Sequence, residues 1–466
     1  MKKYVQLLKN TGLFAISNIA TKFIQFAFLP LYTAYLTTAD YAIVDMSFVI
    51  QSLFWPILSL SLTDALLRFA MDQEYDTKKV FTTCSVLMLP GFAISVYIFS
   101  FVNINDTLFL YRKYFLTYYL VISINSYFSI FARAINKIKL VVINSVLSSL
   151  MIAVLNIVFL LVLNLGVEGY FYSLILGNLV TALVYFYYGK YFLFLIKRFW
   201  NKNLVKELLV YSIPLIPNSV FWWVNSSLDK FCLTTMVGLS EVGLYAVSGK
   251  ISSMLNIVTS IFSQAWSISV IKEYKDSGSD KFFTIIFNIF NILILFMSFV
   301  VIISIKLLAK VLFSNEFYLA WKYVPYLVIA FYFNALNVYF GSIFTAYKKT
   351  NLIFWTTGAG AIINLFLNVL MIKSMGTLGA AIATIISNMI VYIARIIFVR
   401  RYVTIRSSAI SNCILPILLM ILSMSMVSEI SFYISAIIFG VAIFMIAYEV
   451  VVRLLIPFKR IRREAI

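Results

Sequence analysis

The chain has 466 residues, of which 62% are hydrophobic and only 12% charged, about half the charged share of a soluble globular domain. A water-soluble protein of this make-up could not cover its own surface with polar groups, so a bilayer must be its solvent. Histidine is absent, which removes the commonest general base and most zinc sites. Cys84, Cys232 and Cys413 lie far apart with no metal-binding spacing, and no cofactor or metal is expected.

Continuous apolar runs such as 151–163 exclude the alternating pattern of a transmembrane barrel and require helices, whose backbone polar groups are satisfied within the segment. In chain order the runs predict fourteen spans, at 11–36, 41–67, 80–102, 114–135, 140–164, 168–189, 207–228, 241–270, 282–305, 323–346, 352–372, 379–399, 409–427 and 432–452. The first run is too long for the apolar core of a signal peptide and no cleavage-like site follows it, so it is expected to remain as a span.

The net charge of +19 admits a nucleic-acid reading, which the placement of the charges removes. With the N-terminus cytoplasmic, 28 of the 37 Lys and Arg fall on the cytoplasmic side and seven outside, with Lys22 and Lys250 left inside spans. That split predicts both termini inside a cytoplasmic membrane. No outer loop is long enough for a catalytic domain, which disfavours an enzyme.

Three matches mark an internal repeat. "SIF" at 129–131 returns at 342–344, Gly166 and Gly169 with Asn178 return as Gly376 and Gly379 with Asn388, and "ADYAIVD" at 39–45 resembles "VGLYAVSG" at 242–249. The unit is six spans, an even number, so the copies are parallel. The expected organisation is all-α: an N-lobe over 1–200, a C-lobe over 201–405, and a C-terminal pair of spans with a basic tail over 406–466.

Lys22 lies about 16 Å of helical rise into its span, where a lipid-facing ammonium would cost at least ~2.5–3.5 kcal/mol. Lys250 is also well below the surface, near the repeat counterpart of Asp45, and Asp229 and Lys230 close the seventh span. Ionisable residues at depth therefore cluster in spans 1, 2, 7 and 8, and such residues mark transport pathways. The competing reading is that Lys22, Asp45 and Lys250 are paired ions holding helices together. Asp64 and Arg68 have the spacing of a surface pair, and Arg133 and Arg395 that of orientation anchors. Pro30, Pro56, Pro214 and Pro217 permit bending in spans 1, 2 and 7.

Taken with these features, the segments 30–45, 66–72, 227–251, 318–327 and 364–388 resemble the polysaccharide-transporter branch of the multidrug/oligosaccharidyl-lipid/polysaccharide (MOP) exporters, the Wzx-type flippases. The resemblance implies a MATE-like two-lobed bundle whose cavity receives a polyprenyl-diphosphate-linked glycan such as an O-antigen or capsule unit. It implies diphosphate-binding roles for Lys22 and Lys250, and the depth of the remaining charges adds Asp45, Asp229 and Lys230 as candidate substrate-binding residues. It also implies membrane lipids and a polysaccharide polymerase with chain-length machinery as partners, with no nucleic acid. A cation-coupled multidrug exporter is the main alternative and a membrane glycosyl-transfer enzyme the weaker one. The charge split requires reporter fusions at Asp40, Gly166 and Glu429, the last of which lies outside the residues described below, to read outside and those at Lys79, Lys202 and Lys348 to read inside. A cytoplasmic reading at Gly166 would break the span count.

Overall fold

The computed structural model describes residues 2–72, 74–101, 103, 105–194, 199–274, 279–428 and 432–452, which contain helices and connections and no strand. The basic tail from Arg453 lies outside the described residues. Among the described residues, thirteen helical segments are long and apolar enough to cross a membrane. They correspond to the second to fourteenth expected spans. The first expected span is α1 (Lys2–Ala27) followed by α2 (Leu29–Tyr35), and the Asn18, Lys22 and Gln25 of α1 dilute its apolar content.

The chain divides into two compact units, one of residues 1–231 with 238–243 and the other of 232–237 with 244–466. The first unit continues with α3 (Thr38–Leu58), α4 (Leu62–Ala70), α5 (Thr77–Phe101), α6 (Asp106–Leu110), α7 (Arg112–Ala134) and α8 (Ile138–Asn156). A π-helical turn at Ile157–Val162 leads to α9 (Gly166–Tyr188), α10 (Lys202–Ser212) and α11 (Ile216–Met236), whose last residues pass to the second unit. There follow α12 (Leu239–Ser252), α13 (Met254–Glu273), α14 (Ser279–Leu312), α15 (Val324–Ala346), α16 (Thr350–Met375), α17 (Thr377–Val399), α18 (Leu415–Val427) and α19 (Phe432–Val450).

Several expected spans are interrupted, and prolines stand beside three of the breaks. Pro30 occupies the first turn of α2, where its missing N–H costs nothing. Pro56 lies in the last turn of α3, just before Leu60 and Ser61 turn into the left-handed region at φ 52° and 49° and divide span 41–67 into α3 and α4. Pro214 lies within the 3₁₀ turn Ile213–Leu215 that joins α10 to α11, and Pro217 in the first turn of α11. Span 241–270 is likewise two helices, α12 and α13, separated at Ser253.

The repeat read from the sequence is visible in the local geometry of each unit taken by itself. Asn136 and Lys348 end corresponding helices at φ 59° and 56°, and the next residues close the same bond, Lys137 N–H to Ala132 C=O and Lys349 N–H to Phe344 C=O, both at 2.8 Å. Gly166 and Gly376 open α9 and α17 at φ 55° and 58°, a conformation a side chain would resist. Asn125 donates to the Asn178 side chain at 2.9 Å, and Asn337 donates to the Asn388 backbone at 3.0 Å. In the first unit Tyr127 donates to the Phe81 carbonyl at 2.8 Å, and in the second Tyr339 donates to the Phe283 carbonyl at 2.7 Å.

The C-terminal pair has its own attachment within the second unit. Asn291 on α14 donates to the Ser411 carbonyl at 3.2 Å and to the Asn412 side chain at 3.1 Å, and accepts from the Tyr332 hydroxyl at 2.9 Å. Each neutral buried bond of this kind contributes about 0.5–1.5 kcal/mol net. Tyr127→Phe and Tyr339→Phe should each lower unfolding stability by about 1 kcal/mol, and the double variant by their sum, because the two bonds share no partner. Denaturant unfolding in detergent checks this, and a double variant no worse than either single one would contradict it.

Candidate functional site

The start of α3 is fixed by a capping box in which the Asp40 N–H donates to Thr37 Oγ1 at 3.2 Å and the Thr37 N–H donates to the Asp40 carboxylate at 3.1 Å. Asp45 lies seven residues after Thr38, about 10 Å along the axis, and Lys230 lies six residues before the end of α11, about 9 Å. The two side chains therefore meet at matched depth. Lys230 Nζ donates to Asp45 Oδ2 at 2.6 Å. The Asp45 side chain is 5% exposed and that of Lys230 is 22% exposed, so the carboxylate is enclosed while part of the lysine remains open.

Two neutral contacts extend this pairing. Trp223 Nε1 on α11 donates to the Val49 carbonyl of α3 at 2.9 Å, one turn beyond Asp45. In the other direction, a Cβ at Gly243 would fall 1.9 Å from the Thr38 carbonyl oxygen, so only glycine admits that approach. The sequence order of these contacts shows that α11 runs antiparallel to α3.

Aromatic side chains lie beyond Asp45. Tyr41 is buried one turn earlier on the same face of α3, with its ring 6.4 Å from that of Tyr32. Tyr32 stacks on Tyr170 at 4.6 Å, and its hydroxyl accepts from Asn156 Nδ2 at 3.0 Å. A bare carboxylate in such surroundings would pay a heavy desolvation cost, which the ammonium of Lys230 offsets.

Of the five candidate residues, the structure brings together Asp45, Lys230 and Asp229. Asp229 Oδ1 accepts from the backbone N–H of Lys230 at 2.9 Å, next to the lysine whose ammonium serves Asp45. Asp45 is thus paired with Lys230, a partner that the expected ion pairing with Lys22 and Lys250 did not include. Lys22 is exposed on α1 and forms no salt bridge among the described residues. It shares one helix face with the exposed Asn18 and Gln25, at spacings of four and three residues. Lys250 is exposed near the end of α12, in the second unit. The sequence reading missed Tyr32, Asn156, Tyr170 and Trp223, which lie far from Asp45 in the chain. Tyr41, one turn before Asp45, was the legible signal.

Two further expectations are corrected. Arg68 pairs with Asp72 at 2.9 Å and not with Asp64. The Glu74 N–H and the Arg68 guanidinium together hold the Asp72 carboxyl below its ordinary range. Arg395 is no surface anchor, since it is 5% exposed and bonds to the Asn337 carbonyl and to the hydroxyls of Thr356 and Thr357 at 3.2 and 3.0 Å. It ties α15, α16 and α17 together through neutral oxygens.

Residues 7–267 match the family model described as "Polysaccharide biosynthesis protein", more than half of the chain. Among solved structures, the lipid II flippase MurJ in an inward closed conformation is similar at a TM-score of 0.67 and 14% identity, over 94% of this chain and 98% of that one. A multidrug resistance MATE family transporter of the MOP superfamily, in an inward-facing conformation, matches at 0.68 and 14% identity over 83% and 94%. The Vibrio cholerae MATE transporter VcmN matches at 0.58 and 14% over 86% and 99%. No curated protein matches in sequence. At these identities the solved structures speak for the fold, and the sequence match for the family. The chain is a multi-pass membrane protein of the polysaccharide biosynthesis protein family, with a fold similar to those of MurJ and of MATE transporters.

Proposed function

We propose that this chain is a flippase that carries a polyprenyl-diphosphate-linked oligosaccharide, such as an O-antigen or capsule repeat unit, across the cytoplasmic membrane by alternating access. The observation that carries the reading is the polar stripe of Asn18, Lys22 and Gln25 on α1, the first span expected from the sequence, in a member of the polysaccharide biosynthesis family. A stripe of this kind facing lipid would be costly, so it serves a polar path, and an ammonium on that path suits an anionic head group. Lys250 supplies a second such cation, and Lys230 with its neighbours Asp45 and Asp229 a third position on the path.

Transport of this kind makes and breaks no covalent bond. The prenyl tail stays in lipid while the sugar and diphosphate use the polar path, so the protein acts as a transporter and not as an enzyme. Both termini are placed in the cytoplasm by the charge split. Membrane lipids surround the cargo tail, and a polymerase with its chain-length machinery would take the product. The cation-coupled multidrug exporter is the weaker reading, because the buried carboxylate of Asp45 already holds the ammonium of Lys230 where a driving cation would have to bind.

Reconstituted vesicles test the proposal with a lipid-linked oligosaccharide and a cationic drug as competing cargoes. Lys22→Ala and Lys250→Ala should each cut glycan-lipid transport by about tenfold or more, the loss expected from one charge-assisted bond. Lys22→Arg and Lys250→Arg should keep a part of it. Transport of the drug with the glycan lipid ignored would overturn the function, and full activity in both alanine variants would overturn the cation assignment.

A further inference from the structure

The Asp45–Lys230 ion pair and the Trp223 to Val49 bond hold α11 along α3, and the close approach of Gly243 brings the start of α12 to it. The Trp223 to Val49 bond and the Gly243 approach to Thr38 are neutral and would not respond to a charged ligand. The Asp45 to Lys230 pair would respond. Its members are unequally accessible, since the carboxylate is enclosed and the lysine is partly open. An incoming anion therefore has more access to the lysine than a cation of similar size has to the carboxylate.

We propose that Asp45 is a resident competitor for Lys230, so that an incoming diphosphate head group takes the ammonium, displaces the carboxylate and unlatches α11 from α3. A diphosphate brings more negative charge and more acceptor oxygens than a single carboxylate, which favours the exchange. The displaced Asp45 is then left among Tyr41, Tyr32 and Tyr170 without its counter-ion, a costly arrangement. The latch accordingly closes again when the anion leaves. Because ligand and carboxylate compete for one cation, the closed latch must weaken ligand binding by the same factor by which the ligand opens the latch. The inference rests on the preceding section only in taking the ligand to be an anionic lipid.

The test uses the full chain in nanodiscs with farnesyl diphosphate as the probe and farnesol as its uncharged control, read by calorimetry. Asp45→Asn should bind farnesyl diphosphate about tenfold more tightly than the unaltered protein, and Lys230→Gln about tenfold more weakly. The double variant Asp45→Asn with Lys230→Gln should match Lys230→Gln alone, and farnesol should distinguish none of them. A charge-reversed variant, Asp45→Lys with Lys230→Asp, keeps an ion pair but encloses its cation. It should keep a similar thermal midpoint while losing most of the diphosphate affinity, and it decides the matter if Asp45→Asn fails to fold. Equal binding by the unaltered protein and Asp45→Asn, or undiminished binding by the charge-reversed variant, overturns the latch alone. No binding by either the unaltered protein or Asp45→Asn overturns the latch and the anionic-lipid reading together.

Discussion

Hydrocarbon offers no hydrogen bonds, and nearly every feature of this chain answers that constraint. Backbone groups are satisfied within helices, and many interior hydroxyls are satisfied locally, as Ser248 is by donating to the Leu244 carbonyl one turn back at 2.7 Å. Where a helix must stop inside the bundle, the break coincides with residues that can bear it: Pro56 ahead of the left-handed Leu60 and Ser61, or the turn before α11 that contains Pro214. The same constraint makes each buried charge expensive. Asp45 is matched by Lys230, and Arg395 is surrounded by oxygens.

The architecture was legible in the sequence because hydrocarbon thickness sets a length that apolar runs must meet, and most run ends were read closely, although the spans expected to end at 228 and 305 continue to Met236 and Leu312. The repeat was legible for a different reason. Gly166 and Gly376 are required by a positive φ, and the buried rings at Phe131 and Phe344 by packing, so both constraints left matching letters. The breaks at 59–61 and 253 were hidden, since the apolar pattern runs through them without a change. In span 41–67 the separation depends on two non-glycine residues adopting a left-handed conformation that composition does not announce.

The charged residues were found by depth alone, but their pairing was not. Asp45 and Lys230 are separated by 185 residues, and only the antiparallel course of α11 along α3 brings them to one level. Arg395 shows the opposite failure. Its position near a helix end looked like an interfacial anchor, yet the neighbouring helices rise past it and enclose it. Repeat logic would have helped: the matching position in the first unit, Tyr185, is also buried, so this place in the repeat takes a long polar-tipped side chain in both copies.

The length of α14 has a mechanical consequence. Its 34 residues give about 51 Å of helix, well beyond the ~30 Å of hydrocarbon a membrane supplies. A rod of that length must lean or project, and the lean depends on how thick the surrounding lipid is. Through Asn291 the rod is bolted to the segment that leads into α18, so a change of inclination is carried to the C-terminal pair. The second unit thereby contains a lever on which membrane thickness acts directly.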